Sequence, residues 1–231
     1  MDNKYKPSDK MSALICNDYK LLQAMSRFGI SMGVGDKSVD EVCREQGVDC
    51  NTFLRVVNFI CDDTDRIEEN LENLNIKALM DYLRKSHSYF LEFQLPFIRR
   101  KLIEAIDCSE QNEVAYAILK YYDDYVAEVR NHMDYEDQTV FQYVDLLLKK
   151  KKPQHYNIGV FSKKHTPIDV RLAELKNIII KYYPGDANNN LLNSTLYDIF
   201  SCEEDLASHM RVEEYLFIPA VKLMEERLNE E

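Results

Sequence analysis

The sequence predicts an all-α protein, with a small N-terminal helical module followed by an up-down-up-down four-helix bundle. Three observations predict it. Six Gly and six Pro in 231 residues are too few for the many turns of a sandwich or barrel. Apolar residues recur at steps of three and four along four long segments. The connections between those segments are short enough to join antiparallel neighbours. A content of 45% hydrophobic and 30% charged residues suits a folded chain, not a disordered one.

Residues 1–10 are polar and expected to fray. A first short helix is predicted from about Asp18 to Arg27, with Leu21, Leu22 and Met25 on one side, stopping at Gly29. Ile30 to Lys37 holds Gly33 and Gly35 and reads as a loop. Ser38-Val39-Asp40-Glu41 is a capping box that opens a second short helix, and Gly47 closes it. Asp49 can cap a third, whose apolar side is Phe53, Leu54, Val56, Val57 and Ile60. Asp62 to Glu72 is mostly charged and reads as a linker. Residues 1–65 are therefore expected to be one module and 70–231 the bundle.

The first long helix is predicted from about Ile76 to Ile106, with the stripe Leu79, Leu83, His87, Phe90, Gln94 and Ile98, and a kink at Pro96. The second runs from about Glu110 to Lys150, with Ile118, Tyr122, Tyr125, Val129, His132, Glu136 and Val140. The third runs from about Thr166 to Tyr183, with His165, Ile168, Leu172, Leu175 and Ile179 on its inner side. The fourth runs from about Leu191 to Leu228, with Leu196, Phe200, Leu206, His209, Glu213 and Ala220 inward and a kink at Pro219. A block repeats within this region. His87 precedes His132-x-x-x-Glu136, and His165 precedes His209-x-x-x-Glu213, with Glu136-Asp137 echoed by Glu213-Glu214.

The chain has five His, and four fall on the inward stripes, one per long helix. A lone His on an apolar stripe is usually a hydrogen-bonded core residue. Four, joined by two buried Glu in a repeated register, are a different matter. A carboxylate in a bundle core costs several kcal/mol unless something pairs with it. His and Glu at i, i+4 share one side of a helix. Two such helices, closed by one His from each of the others, gather four imidazoles and two carboxylates. Carboxylates can bridge, so the set reads as a dinuclear site with Glu136 and Glu213 spanning both ions. Mixed N/O ligation suits iron, with manganese or zinc as competitors. His155 lies off the repeat and reads as a surface residue. Tyr125 and Tyr135 are close enough in register to support the ligands. Lys149 to Lys152 complement the carboxyl end of the second long helix.

Composition excludes several classes. A net charge of −11 repels nucleic acid and anionic lipid. No run of about 18 apolar residues could span a membrane. The N-terminus has no apolar signal segment, so a cytoplasmic location is expected. The six Cys at 16, 43, 50, 61, 108 and 202 form no Cys-x-x-Cys pair and read as free thiols, with Cys61, Cys108 and Cys202 buried or half-buried.

Residues 76–228 resemble a hemerythrin-like (HHE cation-binding) domain. The whole chain is similar to the repair-of-iron-centres family, di-iron proteins linked to rebuilding iron–sulfur clusters after nitrosative or oxidative damage. That family carries one His, then His-x-x-x-Glu, twice over; here His87, His132, Glu136, His165, His209 and Glu213 match all six positions. Its N-terminal module has a Phe-Gly-Ile element followed by a Cys pair. Phe28-Gly29-Ile30 fits that frame, but Gly33 and Val34 stand where the thiols would be. The resemblance implies a hemerythrin-like bundle holding two iron ions with an oxo or hydroxo bridge. Damaged iron–sulfur proteins would be its partners, and nitric oxide or oxygen its small ligands. With the thiols replaced, the module is expected to serve docking or homodimerisation, and to be dispensable for the bundle. The alternative is a hemerythrin-type oxygen carrier or sensor. Such carriers use five His, whereas Leu83 and Leu91 flank His87 here, and Phe161 and Asp169 flank His165. A ferritin-like oxidase would need a Glu on each of four helices, where the first and third offer His.

Overall fold

Four short helices open the chain: α1 (Met11–Asn17), α2 (Leu21–Phe28), α3 (Val39–Gln46) and α4 (Cys50–Ile60). The computed structural model describes residues 4–61, 71–106, 113–151, 153, 155–164, 170–183 and 189–230. The expected caps are present. Glu41 N donates to Ser38 Oγ at 3.3 Å, and Ser38 N to Glu41 Oε2 at 2.8 Å. Asp49 accepts from Thr52 N at 2.8 Å. Gly29 and Gly47 end α2 and α3 with φ of 82° and 68°, which a side chain would resist.

Two expectations for this segment are corrected. Helix α1 was not foreseen, because a seven-residue helix offers one apolar turn, here Met11 and Leu14, and no periodicity. Residues 4–10 do not fray as a group. Tyr5 is buried, its N–H donates to Asn58 Oδ1 at 2.8 Å, and its carbonyl accepts from Asn58 Nδ2 at 3.0 Å. Lys10 pairs with Ser38 in a lone antiparallel bridge. The Asn58 side chain supplies the backbone partner that the polar sequence seemed to lack.

The longer helices follow. Helix α5 (Ile76–Ser88) passes through a π-helical turn, Tyr89–Gln94, into α6 (Leu95–Ala105). Helix α7 (Glu113–Tyr135) passes through Glu136–Val140 into α8 (Phe141–Leu148). Then come α9 (Ile158–Lys164) and α10 (Val170–Tyr182). Helix α11 (Asn189–Val212) passes through Glu213–Phe217 into α12 (Ile218–Glu230). There is no strand among the described residues. The expected breaks at Pro96 and Pro219 take the form of π turns. Leu95 N donates five residues back to Phe90 O, and Ile218 N five back to Glu213 O. A proline cannot donate to the carbonyl four residues before it, and the widened turn accommodates that loss. The expected linker has structure at its end: Leu71–Asn73 forms a 3-10 turn, Leu71 and Leu74 are buried, and Glu72 Oε2 meets Arg227 Nη2 at 2.9 Å. Residues 62–70 lie outside the described residues.

The contacts divide the chain into two compact units. The first is Met1–Ser86, Thr139–His165 and Ser208–Glu231. Its buried side chains include Phe53, Val56, Leu79, Tyr82, Val144 and Val221. Here α2 and α4 pack on later segments through their rings. Phe28 lies 5.0 Å from Tyr82 and 5.4 Å from Phe53, and Phe59 lies 6.1 Å from Tyr215. Phe141 meets Phe217 edge-on at 5.6 Å. The second unit is His87–Gln138 and Thr166–Ala207. Its core holds Leu95, Ile98 and Leu102 with Tyr122, Val129, Leu172, Leu175, Ile199 and Leu206. The buried Tyr122 hydroxyl donates to Leu95 O at 2.8 Å, which satisfies its one polar atom. Phe200, expected inward, is 43% exposed and lies beneath Lys176 Nζ at 3.9 Å. The buried stripe of α11 is Thr195, Ile199, Cys202, Leu206 and His209: Leu206 and His209 are inward as expected, whereas Leu196 and Phe200 stand one residue past the buried Thr195 and Ile199.

Candidate metal centre

The stripe Leu79, Leu83, His87 turns His87 inward at the end of α5, where the residue is 1% exposed. Helix α7 contributes His132 one turn before Glu136, and Glu136 is the first residue of its π turn. Glu136 is 0% exposed, and each of its oxygens faces a different imidazole. Oε2 lies 3.2 Å from His87 Nε2, and Oε1 lies 3.1 Å from His132 Nε2. The second His-x-x-x-Glu pair has the same local geometry. His209 Nε2 lies 3.2 Å from Glu213 Oε1, both residues are buried, and Glu213 again opens a π turn.

One ligand atom each from His87, Glu136, His209 and Glu213 lies within 4.8 Å of the others. Four of the six residues expected from sequence therefore meet. His132 joins through Glu136, with a side chain 14% exposed. His165 lies outside the described residues. His155 is exposed, as expected. Tyr125 is buried in the core of the second unit and Tyr135 is half-buried.

The donor set fits a cation. Two carboxylates with essentially no solvent exposure carry a desolvation cost of several kcal/mol, which a bound cation would offset. Imidazole nitrogen and carboxylate oxygen together suit first-row divalent metals. Sequence reasoning missed one further participant. Asp137 Oδ1 lies 3.1 Å from His87 Nδ1, on the ring edge away from Glu136. The acidic pair after each repeat was visible as an echo, but nothing local says that the second acid would reach a histidine of another helix. It missed the π turns too, for which Pro96 and Pro219 were the only signal.

The model of the family described as Hemerythrin HHE cation binding domain matches residues 78–221. That span is well over half of the chain and contains all six sequence positions singled out above. No curated protein matches the chain.

Proposed function

Since the chain belongs to the hemerythrin HHE cation-binding family, we propose that it is a di-iron protein that helps to rebuild iron–sulfur clusters damaged by nitrosative or oxidative stress. One observation carries the reading: two buried carboxylates and two buried imidazoles converge within 4.8 Å. In this reading His87, His132, His165, His209, Glu136 and Glu213 would hold the ions. Bound iron would supply a redox-active centre that accepts small ligands such as nitric oxide. The chain's own contribution is to fix the donors, exclude bulk water, and neutralise the ions with only two carboxylates. So few anionic ligands favour a site that can also release iron to a damaged cluster. With five His in the whole chain and His155 exposed, a five-His carrier set cannot be assembled, which favours repair over oxygen carriage.

The test is iron analysis and gas exposure of protein purified without oxygen. Two irons per chain are expected, with a spectral change on adding nitric oxide and oxidation in air without reversible oxygen uptake. One ion or none would sink the dinuclear site. Oxygen uptake that survives cycles of vacuum and air would put the carrier reading first. Cells lacking the protein should recover iron–sulfur enzyme activity more slowly after nitrosative stress, and unchanged recovery would remove the repair role.

A further inference from the structure

His87 has an acid oxygen within 3.2 Å of each ring nitrogen, from two successive residues of one segment. Glu136 Oε2 lies 3.2 Å from Nε2, and Asp137 Oδ1 lies 3.1 Å from Nδ1. The last rotatable bond of the side chain could still swing the imidazole, and the Asp137 hydrogen bond at Nδ1 restrains it. The two acids differ in setting. Glu136 is 0% exposed, whereas the Asp137 side chain is 38% exposed. Glu136 thus sits among the candidate ligands, and Asp137 stands behind the ring, facing solvent. A neutral imidazole carries one N–H, and whichever nitrogen bears it cannot bind a cation. A carboxylate behind Nδ1 accepts that N–H and leaves the Nε2 lone pair pointing into the site.

We propose that Asp137 is a positioning residue for the metal centre: it accepts the Nδ1–H of His87, fixes the tautomer and ring plane, and presents Nε2 to the cation. This rests on the reading of the site as a metal centre. It adds a residue that is not a ligand and that the His-x-x-x-Glu repeat does not itself contain. Because Asp137 is partly exposed, its replacement leaves the buried packing in place, so folding and metal binding can be read separately.

The experiment is an oxygen-free Fe2+ titration of the metal-free full chain, in competition with a chelator. Wild type is compared with Asp137→Ala and Asp137→Asn. Asp137→Ala should weaken iron binding by roughly 10- to 100-fold. Its metal-free thermal midpoint should stay at the wild-type value. In the iron-saturated variant, the Mössbauer signal of one iron should shift while the other keeps its wild-type parameters. Asp137→Asn keeps an accepting oxygen without the charge, so it should restore part of the affinity and the wild-type signal. A merely structural role would move the midpoint and leave the spectrum alone. Wild-type affinity and spectrum in Asp137→Ala would overturn the positioning role while leaving the metal centre intact. A wild-type chain that takes up no Fe2+ would overturn both together.

Discussion

Cys43 is buried on α3, and that burial, with the neighbouring Cys50 adding to it, pushes its thiol up to about 12. Cys61 is pushed up to about 11, again by burial first, with Lys4 opposing. The thiolate is the reactive form, so a rise from 9.0 to about 12 leaves Cys43 with a roughly thousandfold smaller reactive fraction near neutral pH. Cys16 is exposed. Brief alkylation of the native protein, read by peptide mass spectrometry, should mark Cys16 well before Cys43 and Cys61, and urea should erase the difference. Equal rates in the native state would show that α3 and α4 open readily. The sequence showed His87, Glu136, His209 and Glu213 because polar residues on an apolar stripe stand out against it. Asp137 gave no such signal, since it lies off the stripe and its partner comes from a distant helix. Phe200 departs from expectation for the opposite reason: its size suggests core, but its place beside the buried Ile199 leaves it exposed.

Among the elements, α2, α3 and α4 were legible because their stops are chemical and local: Gly29, the Ser38–Glu41 box, Gly47 and Asp49. The single helix expected from Glu110 to Lys150 is interrupted instead. A π turn leaves the apolar pattern almost continuous, so periodicity passes over it. The sequence also suggested that the first 65 residues could be removed without harm. Ring contacts argue against that. Phe28 covers Tyr82, Phe59 packs on Tyr215, and the Arg211 guanidinium lies 4.9 Å from the Phe59 ring. Tyr82 is 1% exposed with these helices in place. Uncovering each such side chain costs about 1.5–3 kcal/mol. A chain lacking residues 1–65 should therefore melt at a lower temperature and bind a hydrophobic dye. A truncated chain with the full-length midpoint would restore the view of a detachable module.

On the scale of the whole molecule, the all-helical class was readable from low Gly and Pro and from four long stripes. No helix among the described residues is long and apolar enough to cross a membrane. The candidate ligands come from segments far apart in sequence, around residues 87, 136 and 213, so a metal that joins them binds the folded chain and not the unfolded one. Iron at a hundred times its dissociation constant would then add about 2.7 kcal/mol of stability. Calorimetry should show a higher midpoint with Fe2+ than with chelator, and Glu213→Gln should lose most of that difference. A midpoint indifferent to iron would mean that the carboxylates are satisfied without it. The π turns set one further condition on this molecule. Each packs one residue more than an α-turn would into its stretch of helix. Deleting one residue from 136–140 or 213–217 would let the ladder close as plain α-helix, with the side chains beyond kept on their present faces and those within the turn re-aimed. These turns are thus the places where the chain can change length without breaking a helix. They are also where a change in length would aim the acids elsewhere, so descendants of this sequence can be expected to vary in spelling there long before they vary in count.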